Sequence, residues 1–219
     1  MQERTGRSDA QAVDESFVTS VVLAGGKGKR FGRDKLSEII GGRTLLCRVV
    51  DTLGGMTGET LIVIGQGQPS PSLPEVSARV TVDLYPEKSA LGGIYTGLVV
   101  SRSLYSLVVA ADMPFLNTAL LRYMVSLAAG FDVVIPRVDG ALEPLHAVYS
   151  KNCLDPMRRQ IERGELKIRD ALGLLKVRYV EKEEVERFDP DQMSFFNINT
   201  MADLNRARTL IERAGDAGI

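Results

Sequence analysis

Short apolar runs alternate with helix-patterned stretches along most of this chain, and that alternation limits the fold more than any other feature. Val18 to Ala24 is an apolar run ending in glycines, as a buried strand does. Leu45, Val49 and Leu53 then recur at helical spacing, with Leu46 and Val50 beside them. Thr44 stands where an N-cap is needed and Gly54-Gly55 ends the segment. Leu61 to Ile64 reads as a second strand, Gly65 to Glu75 as a loop of prolines and glycines, and Val80 to Tyr85 as a third strand. Gly92 to Ser103 is expected as a helix. Leu107 to Ala111 is the most apolar strand of all and runs directly into Asp112-Met113-Pro114.

The second half continues the pattern. Asn117 or Thr118 caps a helix expected through Ala129, with Leu120, Leu121, Met124 and Leu127 on one face. Phe131 to Ile135 and Pro144 to Tyr149 read as strands. Lys151 to Arg163 and Lys167 to Leu172 read as helices, the first bent or shortened by Pro156. Lys176 to Glu181 and Phe195 to Ile198 are short strand candidates. Thr200 and Asp203 resemble a capping box that opens a final helix through Ala214. Such alternation predicts an α/β fold, a three-layer α/β/α arrangement with a mainly parallel sheet covered on both faces. Ligands in such sheets sit beyond the carboxyl ends of the strands. If the strands ending at Ala24 and at Ala111 are neighbours, both ends open on one crevice.

Composition agrees with one globular domain. The chain has 219 residues, 44% hydrophobic and 25% charged, enough to bury a core without staples. Its formal charge of −1 supplies no global basic field for nucleic acid or for an anionic membrane, so a bound anion needs a local cluster. No apolar stretch reaches the length of a membrane span. Residues 1–16 have no apolar signal region and read as a flexible tail ahead of a single domain at 17–219. Cys47 and Cys153 lie far apart without ligand spacing, which points to reduced thiols and a cytoplasmic protein.

The anion cluster follows the first strand. Gly25 to Lys35 holds four glycines and five basic residues. Glycines let backbone N–H groups approach phosphate oxygens, and the cations neutralise the remaining charge. Two common phosphate loops are excluded. The dinucleotide pattern counted from Gly26 needs glycine where Phe31 stands. The P-loop needs Ser or Thr after Gly-Lys, but Gly28 follows Lys27 and Arg30 follows Lys29. Asp112, at the lip of the most apolar strand, is suited to Mg²⁺, a hard ion that takes one or two carboxylates plus phosphate and water oxygens.

Leu23-Ala24-Gly25-Gly26, then Arg30, Gly32 and Asp34-Lys35, resembles the L-A-G-G-x-x-x-R-[MF]-G-x-D-K signature of the molybdenum cofactor guanylyltransferases (MobA) and their nucleotidyltransferase relatives. Ala111-Asp112-Met113-Pro114 matches the family's A-D-M-P element. Leu91-Gly92-Gly93-Ile94 is similar to G-P-L-x-G-I, although Ser89-Ala90 stand where Gly-Pro is usual. Glu143 to Tyr149 is similar to P-L-x-A-x-Y, and Phe196 to Thr200 to F-x-N-[VI]-N-T. Met201 replaces the usual proline and fits the first helical position. The matches run from about Val21 to Leu204.

The resemblance implies a Rossmann-like fold of the nucleotide-diphospho-sugar transferase type and an enzyme that moves GMP from GTP to molybdenum-bearing molybdopterin with Mg²⁺. Arg30, Lys35 and Asp112 would be catalytic. Leu23, Ala24, Gly25, Gly26, Lys35, Gly65, Asp83 and Asp112 would hold GTP, Asp112 the metal, and Asn197 and Asn199 the acceptor, both amides facing one side of a strand. Transient contacts with other molybdenum cofactor biosynthesis proteins are implied as well. Gly25 stands where cytidylyl relatives resemble L-A-A-G, and its missing methyl is expected to leave room for a purine. His146, the only histidine, is expected as a packed strand side chain with a satisfied ring, because transfer to an ionised phosphate needs no general base. Three further readings stay open: a cytidylyltransferase for the same pterin, a transferase acting on a sugar phosphate or cobinamide phosphate, and a non-catalytic nucleotide-binding module.

Overall fold

The computed structural model describes residues 13–25, 35–73, 77–86 and 88–216. Gly26 and Arg30 of the expected site, and the side chain of Lys35, lie outside the described residues.

The chain builds β1 (Val18–Leu23), β2 (Ile39–Ile40), β3 (Arg43–Thr44), α1 (Leu45–Leu53), β4 (Glu59–Ile64), β5 (Arg79–Val82), α2 (Ser89–Val100), β6 (Tyr105–Ala110) and α3 (Thr118–Ser126). It continues with β7 (Val133–Val138), β8 (Ala141–Leu142), β9 (His146–Ser150), α4 (Leu154–Arg163), α5 (Ile168–Leu172), β10 (Val177–Glu181), α6 (Lys182–Val185) and α7 (Met201–Asp216). Just ahead of β1, Asp14 caps a 3-10 turn, Val13 packs on the core and Glu15 pairs with Arg122. The packed body therefore begins a few residues before residue 17.

The main sheet runs in the order β10-β7-β9-β6-β1-β4-β5, with β8 beside β7. β1 is parallel to both β4 and β6, β4 to β5, and β7 to β10. β9 runs against both neighbours. The sheet is mainly parallel, as the alternation of elements predicts.

Period-two side chains divide the core between the two faces. Val18, Val22, Ile62, Leu107 and Val109 meet α1 and α3 on one side. Val21, Leu61, Val63, Val108 and Ile135 meet α2, α4 and α5 on the other. Thr44 caps α1 by accepting from the Cys47 amide, and Asn117 caps α3 by accepting from the Leu120 amide at 3.0 Å. Helix α2 lies unusually close to β1. A Cβ on Gly97 would stand 2.5 Å from a Val21 methyl, so only glycine lets the helix settle there. A third, smaller core joins the β2–β3 hairpin to α7 through Ile40, Leu45, Ile198, Leu204 and Ala207.

Several expectations change. The strand at Phe195 to Ile198 is absent. Met193–Phe195 form a 3-10 turn whose Met193 and Ser194 amides are taken by the Asp189 carboxylate, and the Ile198 amide is taken by Asp112. The Phe195 and Phe196 amides turn back to the Gln192 and Met193 carbonyls, so these donors are unavailable to a ladder. The third strand stops at Val82 because the Asp83 side chain turns the chain by accepting from the Tyr85 amide. Pro156 falls in the first turn of α4, where its missing N–H is harmless, and a 3-10 turn at Lys151–Cys153 precedes it. Thr200 and Asp203 do form a reciprocal cap: the Asp203 carboxylate accepts from the Thr200 amide at 2.8 Å, and the Thr200 hydroxyl from the Asp203 amide at 3.2 Å.

Candidate active site

Strands β5, β4, β1 and β6 are consecutive and parallel, so their carboxyl ends stand in a row. The register pairs Leu23 with both Val63 and Ala110, and Ile64 with Val82. Asp83, Gly65, Ala24-Gly25 and Ala111-Asp112 thus follow one another along a single edge. Main-chain bonds extend the ladder past the strands: Ala24 N–H to Val63 at 2.8 Å, Ala111 N–H to Leu23 at 3.1 Å, Asp83 N–H to Ile64 at 2.8 Å. Three strand spacings separate Asp83 from Asp112, roughly 14 Å. The two strand ends expected to share a crevice are immediate neighbours.

Gly25 and Gly65 touch through their backbones. A Cβ on Gly25 would lie 3.1 Å from the Gly65 nitrogen. This corrects the expectation that the missing methyl leaves open room for a purine: the space is filled by the next loop, and Gly25 is what lets the two loops close together. The Gly65 amide itself donates to the Gln68 side-chain oxygen at 2.5 Å, while the Gln68 amide donates back to the Gly65 carbonyl at 3.1 Å. Gly67, at φ +77°, supplies the left-handed residue of that turn. Gln68 gave no motif signal, because a side chain that caps its own turn leaves no periodicity.

Asp83 fixes the rim on one side. Its carboxylate accepts from the Thr96 hydroxyl at 2.7 Å and the Tyr85 amide at 3.0 Å, and Thr96 in turn accepts from the Leu84 amide at 3.0 Å. It ties the turn after β5 to α2. That turn leads into Ser89, which takes φ +58° at the position where the resemblance has glycine. The Ser89 hydroxyl donates to the Leu166 carbonyl at 3.2 Å.

Asp112 lies half-buried at the other side. Its carbonyl accepts from the Ile198 amide at 3.0 Å, and Phe115 meets Phe196 edge-on with ring centroids 5.7 Å apart. The structure thus brings Asn197 and Asn199 beside Asp112, though not as alternating strand residues. The Asn197 amide side chain donates to the Phe195 carbonyl at 3.0 Å, and the Asn199 backbone amide to Asp203 at 3.0 Å. Among the described residues no group of three His, Cys, Asp or Glu could hold a metal by itself. A lone carboxylate at the carboxyl edge fits Mg²⁺, which takes one or two protein carboxylates and completes its shell with phosphate and water oxygens.

Lys35 opens the 3-10 turn Lys35–Ser37 that leads into the β2–β3 hairpin. His146 is fully buried at the start of β9, edge-on to Phe195 with centroids 4.9 Å apart. It is a packed strand residue as expected. Its ring, however, is not satisfied: neither nitrogen has a hydrogen-bond partner among the described residues. Burial lowers its pKa to about 4, only partly opposed by the Asp189 charge. Both cysteines are buried free thiols, and burial pushes the Cys153 thiol up to about 12.

A mainly parallel sheet with a glycine loop and an aspartate on adjoining strand ends defines a nucleotide-handling α/β domain, and comparison with known proteins places it. The family model described as MobA-like NTP transferase domain matches residues 20–180. The chain belongs to that family of nucleotidyltransferases. Within it, the relatives it resembles are guanylyltransferases of the molybdenum cofactor. A Desulfosudis oleivorans protein named molybdenum cofactor guanylyltransferase is 34% identical over 89% of this chain and 96% of its own length. A Pelotomaculum thermopropionicum protein, named "probable molybdenum cofactor guanylyltransferase", is 35% identical over 90% and 95%. The crystal structure of molybdopterin-guanine dinucleotide biosynthesis protein A from Archaeoglobus fulgidus superposes with a TM-score of 0.74 at 29% identity, covering 89% of this chain and 99% of that one.

Proposed function

We propose that this chain transfers GMP from GTP to the terminal phosphate of molybdenum-bearing molybdopterin, forming the guanine dinucleotide cofactor and releasing pyrophosphate. The observation that carries the reading is the placement of Gly25 and Asp112 just beyond the carboxyl ends of neighbouring parallel strands. The names of the similar proteins support the choice of nucleotide and acceptor.

The triphosphate lies along the carboxyl edge. Backbone amides of Gly25 and Gly26 hold phosphate oxygens, while Leu23, Ala24 and the Gly65 turn line the nucleoside side. Asp83 acts there by holding the rim. Arg30 and Lys35 neutralise charge building on the departing pyrophosphate. Asp112 is the residue that would hold Mg²⁺. When bound, the ion supplies charge neutralisation at phosphate oxygens. A phosphate oxygen of the acceptor attacks the α-phosphorus in line, the bond to the β-phosphate bridging oxygen breaks, and pyrophosphate leaves with that electron pair. No proton need be removed from the acceptor, which agrees with a buried, unprotonated His146 outside the chemistry. Asn197 and Asn199, carried beside Asp112, offer amides to the acceptor. We place the reaction in the cytoplasm, where buried free thiols stay reduced, with transient contacts to the proteins that deliver and receive the pterin.

The test supplies GTP, CTP, ATP and UTP in turn with Mg²⁺ and molybdenum-bearing molybdopterin, and follows pyrophosphate and product mass. A guanine dinucleotide product from GTP alone is expected. Preferential formation of the cytosine product, or no product with any triphosphate, would overturn the reading.

A further inference from the structure

We propose that Arg208 is a positioning residue for nucleotidyl transfer, acting through Glu38 and Ile39 on the segment that carries Lys35. The inference rests on the role of Lys35 given above.

After Lys35 the chain makes an excursion away from the main sheet. It passes through the 3-10 turn and the β2–β3 hairpin before α1 returns it to the core. β2 and β3 pair only with each other, so no ladder of the main sheet sets where this excursion sits. Helix α1 holds it from one side, the Leu45 amide donating to the Glu38 carbonyl at 2.9 Å, and the C-terminal helix packs against it from the other. Ile40 and Leu45 are fully buried against Ile198, Leu204 and Ala207, with Ile211 alongside. Arg208 crosses this core to the hairpin. Its Nη2 meets Glu38 Oε2 at 3.2 Å and its Nε donates to the Ile39 carbonyl at 3.2 Å. Only 12% of the Glu38 side chain is exposed. A planar guanidinium can hold a carboxylate and a carbonyl at once, which a lysine cannot do in the same geometry.

The hairpin tip is pressed home as well. Gly41 has φ +57°, and a Cβ there would come within 2.7 Å of the Arg48 guanidinium and 2.8 Å of an Ile211 methyl. The same C-terminal stretch reaches Asp112 through the Ile198 amide. One segment thus touches both the lysine's return path and the aspartate's turn. That segment lies beyond the residues 20–180 matched by the family model, so it is a brace outside the matched domain. A misplacement of a reacting group by about 1 Å can cost about 10² in rate. A brace that holds Glu38 and Ile39, three and four residues beyond Lys35, acts on that scale.

The experiment measures kcat and both KM values, with thermal melting, for Arg208→Ala, Arg208→Lys, Glu38→Gln, Lys35→Ala and the exposed α7 control Glu212→Ala, using GTP, Mg²⁺ and the molybdopterin acceptor. Arg208→Ala and Glu38→Gln are expected to lower kcat by roughly 10- to 100-fold while the acceptor KM stays within about threefold. Arg208→Lys is expected to recover part of the loss, and Glu212→Ala to match the parent. A kcat within about twofold of the parent in both Arg208→Ala and Glu38→Gln, with Lys35→Ala inactive, overturns the brace alone. An equal fall in Glu212→Ala also overturns it, as a general loosening of α7. Full activity in Lys35→Ala overturns the reading of Lys35 and the brace with it. If Arg208→Ala does not fold, Glu38→Gln decides the matter.

Discussion

The backbone amide of Ile198 donates to the carbonyl oxygen of Asp112 at 3.0 Å. This bond closes the carboxyl edge with a segment from the far end of the chain, and it holds Asn197 and Asn199 next to the aspartate expected to carry the metal. The backbone of the Asp112 turn is thereby tied to the segment ahead of the C-terminal helix. Phe115 and Phe196 pack beside it, so the strap is held by apolar contact as well as by the amide.

Asp112→Ala and Lys35→Ala are expected to abolish most pyrophosphate release. Loss of one charge-stabilising group costs about 10²–10³ in turnover. Melting temperature should stay near that of the parent. Near-normal turnover by Asp112→Ala with Mg²⁺ as the only metal would contradict the assignment.

Gly25→Ala places a methyl about against the Gly65 nitrogen and must push the two loops apart, since the Cβ would stand at 3.1 Å. Overpacking of this kind costs about 1–3 kcal/mol. The expected outcome is a GTP KM raised by roughly 10-fold, with a smaller GTP-to-CTP ratio of kcat/KM. A variant with parent-like KM and an unchanged ratio would show that loop closure does not matter for nucleotide choice.

Ser89 holds φ +58°, a conformation that costs a side-chain-bearing residue roughly 1–2 kcal/mol. Its hydroxyl bond to Leu166 returns about 1 kcal/mol. Ser89→Ala keeps the strained backbone and loses the bond, whereas Ser89→Gly relieves the strain. Urea denaturation should therefore rank Ser89→Gly above Ser89→Ala. The reverse order would mean that the backbone relaxes out of the left-handed region without effort.

His146 makes stability depend on mild acid. Its native pKa is held at about 4, below the ordinary value of 6.5, so between those values the unfolded chain binds a proton that the native ring refuses. Stability is full above about pH 6.5 and is lost progressively as pH falls toward 4, in total on the order of 3 kcal/mol. His146→Leu removes the group and should flatten this slope. It should also cost little at neutral pH, because two unpartnered ring nitrogens leave the core. Parallel stability curves for parent and variant from pH 4.5 to 7.5 would exclude this role for His146.

Much of the edge was legible before any coordinates. Apolar runs with clear ends gave β1, β4 and β6, and Thr44 and Asn117 marked helix starts because a side-chain oxygen must replace a missing backbone partner there. That β1 and β6 would end side by side followed from two chemically unusual strand ends. The rest was hidden for physical reasons. β2 and β3 are two residues each, too short for any period to show, and their turn depends on Gly41 and Gly42 both taking positive φ. Phe195 to Ile198 has strand-like composition, but its amides donate to Gln192, Met193 and Asp112 carbonyls, which only tertiary structure reveals. Arg208 and Glu38 are far apart in sequence and belong to no motif. The closeness of Gly25 to Gly65 is a property of two loops together and of neither alone.

The reversed direction of β9 has a consequence for how the carboxyl edge is furnished. Every other strand along that part of the sheet delivers its end to the carboxyl edge, but β9 delivers its beginning, so Glu143 to His146 arrive beside Asp112's strand, where the Ala110 amide donates to Leu145 at 3.1 Å. No crossover helix hangs from that corner, since β7, β8 and β9 follow one another through short turns. The carboxyl edge from β5 to β6 is built from strand ends that helices lock in place. The corner beyond Asp112 is a plain hairpin return, where a change of loop length need shift no helix.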